Sequence, residues 1–533
     1  MTDRERGDGV PEAQRPGAGR EIELKLEVPA GDLAALKRHP LVRELAERRR
    51  PQLQRLHTVY YDTRGRDLAR EQLALRVRHS GRSHVQALKG EGSAIGGLFV
   101  RGEWEAPLPG PEPDVERIPS AAARALVERA IAGQPLEPVF ETDFARTRYR
   151  LRRGDTELCL DFDEGEIRAR GASAPIRELE LELVSGDPAV LYGIALELHE
   201  TLPVRPSITS KAQRGHALAT GTRPAPQRAP RITLGPRATL EDALREVLAV
   251  CLAQVLANRE PARDGSDPEG VHQLRVGLRR TRAALALFGE VLEGEEPRAF
   301  KSELRWLAGE LGPARDLDVF LADVLEPLAA RFPDDPSLKR LRDAARELRD
   351  EAYARVRAAV DSPRASALAL ALGGWLTARG WRSGAGAGTL AALAAPAAEG
   401  GAALLERRLK KARRLGRGLA RRTPEERHRL RIALKKLRYA GEFLGSLYGE
   451  AGPERMLGKL SELQDTLGAL NDVAMSERLL VAIGERLGRE WAAEHERGAG
   501  FVTGWISHEA QRRLARLDKQ WQALRKLRPF WRA

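Results

Sequence analysis

The residues best suited to chemistry are charged side chains at alternating positions in segments whose other positions are apolar. In EIELKLEV, Glu21, Glu23, Lys25 and Glu27 take one parity and Ile22, Leu24, Leu26 and Val28 the other, so an extended chain sorts them onto two faces. Arg76 and Arg78 share a face in LALRVRH, as do Arg101, Glu103 and Glu105 in VRGEWEA, Arg146, Arg148 and Arg150 in RTRYR, and Glu178, Glu180 and Glu182 in RELELELV. A solvated face accounts for one such strand. It does not account for a set that is acidic on some strands and basic on others, because like charges two residues apart repel unless something neutralises them. A phosphate chain with a divalent cation would do so: carboxylates hold a hard cation through oxygen, and Arg and Lys donate to phosphate oxygens.

A second constellation lies on helices. In VHQLRVGLRRTRAALALF (271–288), His272, Arg275, Arg279 and Arg282 fall within an arc of roughly 80° at about 100° per residue, apart from Leu274, Leu278, Leu285 and Phe288. RHRLRIALKKLRYAGEFL (427–444) repeats the pattern at a constant offset, giving His428, Arg431, Lys435 and Arg438 the same places. The offset also pairs Gly312 with Gly468 and Asp316 with Asp472. Two basic stripes could line one cleft and take phosphate oxygens through forked guanidinium bonds. Two histidines without Cys or paired acids make poor zinc ligands. Nucleic acid is disfavoured as a partner, because aromatic residues for base stacking are only 5% of the chain. Asp316, Asp465, Asn471 and Asp472 are expected to cap or brace helices.

The elements that must position these groups divide the chain. At 533 residues it exceeds one ordinary core. Residues 1–19, rich in Gly, Pro and charge, read as a disordered leader. Residues 20–220 are strand-rich, and closure of that sheet into a barrel would turn the charged faces into a lumen. The Pro/Arg/Gly stretch 221–238 reads as a linker, and 239–533 as all helix, the duplicated units packing together into one domain. Basic side chains number 37 against 35 acidic in residues 1–235, but 52 against 41 thereafter, so an anionic partner is expected for the second half. Cys159 and Cys251 have no metal-type spacing, and no segment reads as a signal peptide or a membrane span. A cytoplasmic protein with no membrane partner is expected.

Residues 21–219 resemble the CYTH superfamily, the triphosphate tunnel metalloenzymes, in an ordered set of motifs. These are Glu21-x-Glu23-x-Lys25, YYDT at 60–63, Leu75-Arg76-x-Arg78, Leu88-Lys89-Gly90, Arg101-x-Glu103-Trp104-Glu105, Arg146, Asp163-Glu164-Gly165-Glu166-Ile167, Glu178 to Glu182, and Ser210-Lys211. The resemblance implies an eight-stranded antiparallel tunnel barrel with covering helices, an α+β domain that hydrolyses a triphosphate with Mg2+ or Mn2+. By position it implies metal ligands at Glu21, Glu23, Glu180 and Glu182, with Asp163 as a further acidic contributor. It implies phosphate contacts at Lys25, Arg76, Arg78, Lys89, Arg101, Arg146 and Lys211, and catalytic roles for Lys25, Glu103 and Glu105. The family's Thr-Leu-Lys stands here as Ala87-Leu88-Lys89, keeping the lysine and losing a hydroxyl.

Residues 238–530 resemble the CHAD domain, a helical domain that binds polyphosphate and often follows a CYTH domain. The residues implied to contact polyphosphate are His272, Arg275, Arg279, Arg282, His428, Arg431, Lys435, Lys436 and Arg438. Together the resemblances imply an inorganic triphosphatase carrying a polyphosphate-binding domain, associated with polyphosphate granules, whose tunnel works without residues 239–533. A non-catalytic polyphosphate-binding protein and a tunnel acting on thiamine triphosphate or ATP are the alternatives.

Overall fold

The computed structural model describes residues 20–29, 33–48, 50–80, 83–292 and 294–532, so the expected leader lies outside the described residues. Two compact units emerge. Of the described residues, the first comprises those up to 224 and 363–380, and the second those of 225–362 and from 381 onward.

The strands of the first unit are β1 (Arg20–Glu27), β2 (Gln52–Asp62), β3 (Ala74–Ser80), β4 (Ser83–Ile95), β5 (Leu98–Leu108), β6 (Glu137–Arg153), β7 (Thr156–Ala169) and β8 (Ala172–Ser185). They pair antiparallel in the order β5-β4-β3-β2-β6-β7-β8-β1, and β1 pairs β5 again, which closes the barrel. The two-residue β9 (Arg205–Pro206) adds to β1. Its helices are α1 (Leu33–Lys37), α2 (Pro40–Leu45), α3 (Asp67–Arg70), α4 (Ala121–Ile131), α5 (Ala189–Thr201) and α6 (Lys211–Thr220).

Closure turns residue parity into inside and outside. Ile22, Leu24 and Leu26 of β1, Leu158, Leu160 and Phe162 of β7 and Leu179, Leu181 and Leu183 of β8 are buried against α1, α2 and α5 on the outer face. Leu75 and Leu88 are buried with Ala123 and Val127 of α4. Part of the interior is apolar: Tyr60, Phe140, Phe144, Ile167 and Ile176 cluster with Ala219 of α6. The YYDT motif has a local task, since the buried Asp62 carboxylate accepts the backbone N–H groups of Thr63, Leu68 and Ala69 and so fixes the β2–α3 corner.

The second unit is helical. Its helices begin with α7 (Leu240–Ala257), α8 (Arg259–Asp264), α9 (Pro268–Leu287), α10 (Glu296–Glu310), α11 (Gly312–Phe320), α12 (Glu326–Arg331) and α13 (Pro336–Val360). After α14 (Pro363–Thr377), which packs in the first unit, come α15 (Ala387–Ala394), α16 (Ala397–Leu415), α17 (Pro424–Leu444), α18 (Ala451–Leu487), α19 (Ala492–Leu514) and α20 (Leu517–Lys526). The two histidine helices start on strong caps. Asp267 accepts from Glu269 N–H ahead of Pro268 on α9, and Thr423 with Glu426 forms a capping box ahead of Pro424 on α17. Among the described residues, no helix is long and apolar enough to cross a membrane.

Two features differ from the expected domain limits. The Pro-rich stretch is no free tether: from Ala225 it belongs to the helical unit, with Ile232 and Leu234 buried and Gln227 exchanging backbone hydrogen bonds with the buried Asn258 side chain. Helix α14, expected in the helical domain, packs instead in the tunnel unit.

Gly165 of β7 stands opposite Phe144 of β6, and a Cβ there would lie 2.1 Å from the Asp143 carbonyl oxygen. Gly165→Ala should therefore cost about 1–3 kcal/mol. Gly110→Ala, which meets nothing within 4 Å, should be neutral. Chemical denaturation followed by circular dichroism checks both.

Candidate active site

The interior-facing charges converge as the parity argument expects. They line a cavity of about 640 Å³ walled by nine Lys or Arg side chains and five glutamates. Glu21, Lys25, Arg76, Arg78, Lys89, Arg101, Glu103, Glu105, Arg146, Glu180, Glu182 and Lys211 are all on its wall. Strand register decides which charges meet. Glu23 lies directly opposite Glu182, and Lys25 opposite Glu180.

Most of these charges neutralise one another. Lys25 Nζ donates to Glu180 at 2.6 Å and stands 3.2 Å from Glu23. Lys89 donates to both oxygens of Glu21 at 2.9 and 2.8 Å, and Arg101 bridges Glu21 and Glu23. Arg76 pairs with Glu103 at 2.9 Å. Arg146 forms a fork with Asp163, both bonds 2.7 Å, and reaches Glu180 at 2.6 Å. Lys211, at the start of α6, holds Glu178, Glu180 and Asp163 at 2.6, 2.9 and 2.8 Å. Burial alone would drive the Glu180 carboxylate toward its neutral form, but Lys211, Lys25 and Arg146 overcome it and hold it well below the usual carboxylate range.

Two groups escape this balance. Arg78 is pulled down to about 10 by neighbouring Arg76, by burial and by Arg146, with Glu105 offsetting only in part. Its buried Nε has no hydrogen-bond partner. Glu182 is the acidic counterpart: burial raises its affinity for a proton, Arg148 opposes, and Glu21, Asp161 and Glu23 add repulsion. The tunnel thus has an anion-seeking corner at Arg78 and a cation-seeking corner around Glu182, Glu21 and Glu23.

The oxygen-only donor set at the second corner fits a hard divalent cation. Among the described residues no three ligating side chains converge as they stand, because each carboxylate is turned toward a cation. Two of the expected acids are not on the cavity wall: Asp163 is fully buried beneath Arg146 and Lys211, and Glu23 is buried against Lys25 and Arg101.

Two residues of the cavity wall, Arg148 and Tyr60, lie in segments singled out in the sequence but were given no role there, and Asp161 was not named. Arg148 lines the cavity and forks onto Asp161 at 2.7 and 2.6 Å. Both have the interior parity, which was the available signal. Tyr60 also lines the cavity, opposite Arg76, its ring stacked on Phe140 at 4.4 Å. Ala87, which replaces the family threonine, is buried opposite Arg76 and Glu105.

In the helical unit, α9 and α17 pack together, and Arg279 joins the two repeats. Its Nε donates to the Tyr439 hydroxyl, and its charge acts on His272, Arg275, Arg431 and Lys435. The repeat-related Gly312 and Gly468 face Arg275 and Arg431, while Asp316 and Asp472 supply the matching counter-charges. These aspartates sit inside α11 and α18, so they brace rather than cap. The repeat is imperfect at its histidines, for His272 is half-buried beside Arg315 and His428 is exposed. Arg438 shares Glu442 with Arg280, each at 3.0 Å. Arg282 and Lys436 form a second basic cluster with Arg305, Arg408 and Lys411.

The CYTH domain family matches residues 19–215 and the CHAD domain family residues 246–481. The chain belongs to the proteins that join a CYTH domain to a CHAD domain. Over its CYTH part it is 33% identical across 168 residues to an inorganic triphosphatase of Haemophilus influenzae, a match covering 31% of this chain and 46% of that protein. An uncharacterised protein of Mycobacterium tuberculosis is 30% identical over 357 residues, covering 63% of this chain and 66% of that one. The chain thus spans about half to two thirds of the length of these relatives. The crystal structure of the CHAD domain from the plant Ricinus communis matches with a TM-score of 0.50 at 31% identity, covering 57% of this chain and 98% of that one.

Burial and the nearby Arg431, Arg279 and Arg438 push the Lys435 amine down to about 7, with Asp472 opposing. A ¹⁵N-detected titration of Lys435 should therefore show a midpoint near 7. Removing a cation by Arg431→Ala should raise it, and removing the acid by Asp472→Asn should lower it.

Proposed function

We propose that the tunnel hydrolyses inorganic triphosphate with a divalent metal, Mg2+ or Mn2+, and that the helical domain binds polyphosphate. The observation that carries the first part is the cavity itself, whose wall holds more cations than carboxylates and leaves Arg78 unmatched. Similarity to the Haemophilus triphosphatase supports the reaction class.

Glu21, Glu23 and Glu182, with Glu180 beside them, would hold the metal. When bound, it offsets charge on the phosphoryl oxygens as a Lewis acid. The chain's own residues bind and orient the substrate. Arg76 and Arg78 grip one end of the phosphate chain, and Lys25, Lys89, Arg101, Arg146 and Lys211 turn from their carboxylates toward its oxygens. Glu103 and Glu105, on the same wall, orient the attacking water. Inorganic triphosphate is favoured over a nucleotide because the cavity's aromatic rings are already engaged. Phe99 lies beneath Lys25 and Arg101, Phe144 beneath Arg146 and Lys211, and Tyr60 against Phe140.

In the helical unit, Arg275, Arg279, Arg431 and Lys435 crowd together against only Asp316 and Asp472, a surplus that a polyanion relieves. His272, Arg282, His428, Lys436 and Arg438 extend the face. We expect the protein in the cytoplasm, at polyphosphate deposits.

Purified protein should release phosphate from tripolyphosphate only with Mg2+ or Mn2+, and Lys25→Ala or Glu23→Gln should lower kcat by about 10³-fold or more. Wild-type turnover in those variants would reject the site. Arg279→Glu should weaken polyphosphate binding by about 1–3 kcal/mol in calorimetry without altering that turnover.

A further inference from the structure

Helix α14 belongs to the helical half by sequence and to the tunnel by packing. Leu370 is fully buried in the cluster that contains Leu24 and Leu26 of β1 and Leu179 and Leu181 of β8. On those strands Leu24 stands between Glu23 and Lys25, and Leu181 between Glu180 and Glu182. The helix packs on α5 and β9, the elements that cover and extend the strands carrying the tunnel's acidic corner.

The contact is specific. Gly373 and Gly374 lie within α14, where glycine is the least favourable residue after proline, and both face Tyr192 of α5. A Cβ at 373 would stand 2.6 Å from Tyr192 Cε1, and one at 374 would stand 3.0 Å from Tyr192 Cβ. The Thr377 hydroxyl donates to the Gly373 carbonyl oxygen at 2.9 Å and stands beside the Tyr192 hydroxyl, as does the backbone of Leu98. Leu98 pairs with Leu24 across β5 and β1, and its neighbour Phe99 is the ring beneath Lys25 and Arg101. At the other end of the helix, His199 Nε2 lies 2.8 Å from the Pro363 carbonyl oxygen.

We infer that α14 is a positioning helix for the acidic corner of the tunnel, supplied by the helical half of the chain. A triphosphatase lacking residues 239–533 is then missing part of its own core, contrary to the expectation from sequence. The activity arm of the following test rests on the proposed triphosphatase reading; the exchange arm does not.

In the full chain, Thr377→Val removes the hydroxyl while keeping the side-chain shape, and Gly373→Leu drives a side chain into the Tyr192 ring. Hydrogen exchange of the Leu24 and Leu98 amides should quicken about fivefold in the first and more in the second, with α17 amides unchanged. The Mg2+ concentration giving half-maximal phosphate release should rise several-fold, with kcat at saturating Mg2+ retained. Wild-type exchange at β1 and β5 in Thr377→Val overturns the inference, even if Gly373→Leu fails to fold. Faster exchange with an unshifted Mg2+ requirement overturns the positioning role and leaves a helix that only adds stability. A wild-type chain that releases no phosphate sinks the triphosphatase reading, while exchange still decides the packing claim.

Discussion

Everything in the first unit depends on confining like charges inside a closed sheet. Once eight strands form a ring, each second residue must face inward, and its charge cannot turn away to bulk water. Leaving one buried charge unpaired costs about 3–5 kcal/mol, so interior cations and carboxylates must be assembled as a set. Lys211 shows how tightly: its single amine serves Glu178, Glu180 and Asp163 and draws them toward the base of α6. Such a network holds the charged groups of the wall against one another.

The parity of the charged strands was legible in the sequence, and so were the barrel and most of its wall. Alternation is a local property, and it assigned Glu21, Glu23, Arg76, Arg78, Glu180 and Glu182 to the interior. What alternation does not carry is register. That Glu23 opposes Glu182 while Lys25 opposes Glu180 depends on how far β1 slides against β8, and this sets which corner attracts a cation. Arg148 was placed on a charged face but given no role, and Asp161 was not named although its parity was right, because the motif pattern singled out their neighbours Arg146 and Asp163. Helix α14 was illegible for another reason. Its run of Leu, Ala and Gly reads as a core helix of any domain, and its partner Tyr192 lies far away in sequence.

The helical unit handles charge differently. Its duplicated helices each bring an Arg against a Gly and an Asp, a geometry that the constant offset already encoded. The junction between the copies was not encoded, because Arg279 meets Tyr439 rather than the group at its own repeat position. That one-sided contact brings four cations together around two aspartates. Lys435 consequently keeps its proton only weakly, which marks an excess of charge rather than a balanced network.

This contrast has a thermodynamic consequence under the proposed reading. A polyanion meeting the helical face relieves repulsion already present, so binding can proceed with little displacement. Salt should weaken it steeply, as for any polyanion that releases counter-ions. In the tunnel, a phosphate chain that takes Lys25, Lys89 and Arg101 strips Glu21 and Glu23 of their partners. Each stranded carboxylate would cost several kcal/mol, more than a hydrogen bond to phosphate returns. A divalent cation accepted by the released carboxylates removes that penalty, and in the reverse order phosphate accepts the cations the metal displaces. On that reading metal and triphosphate would stabilise each other in the tunnel, because the residues that would hold them are paired with one another.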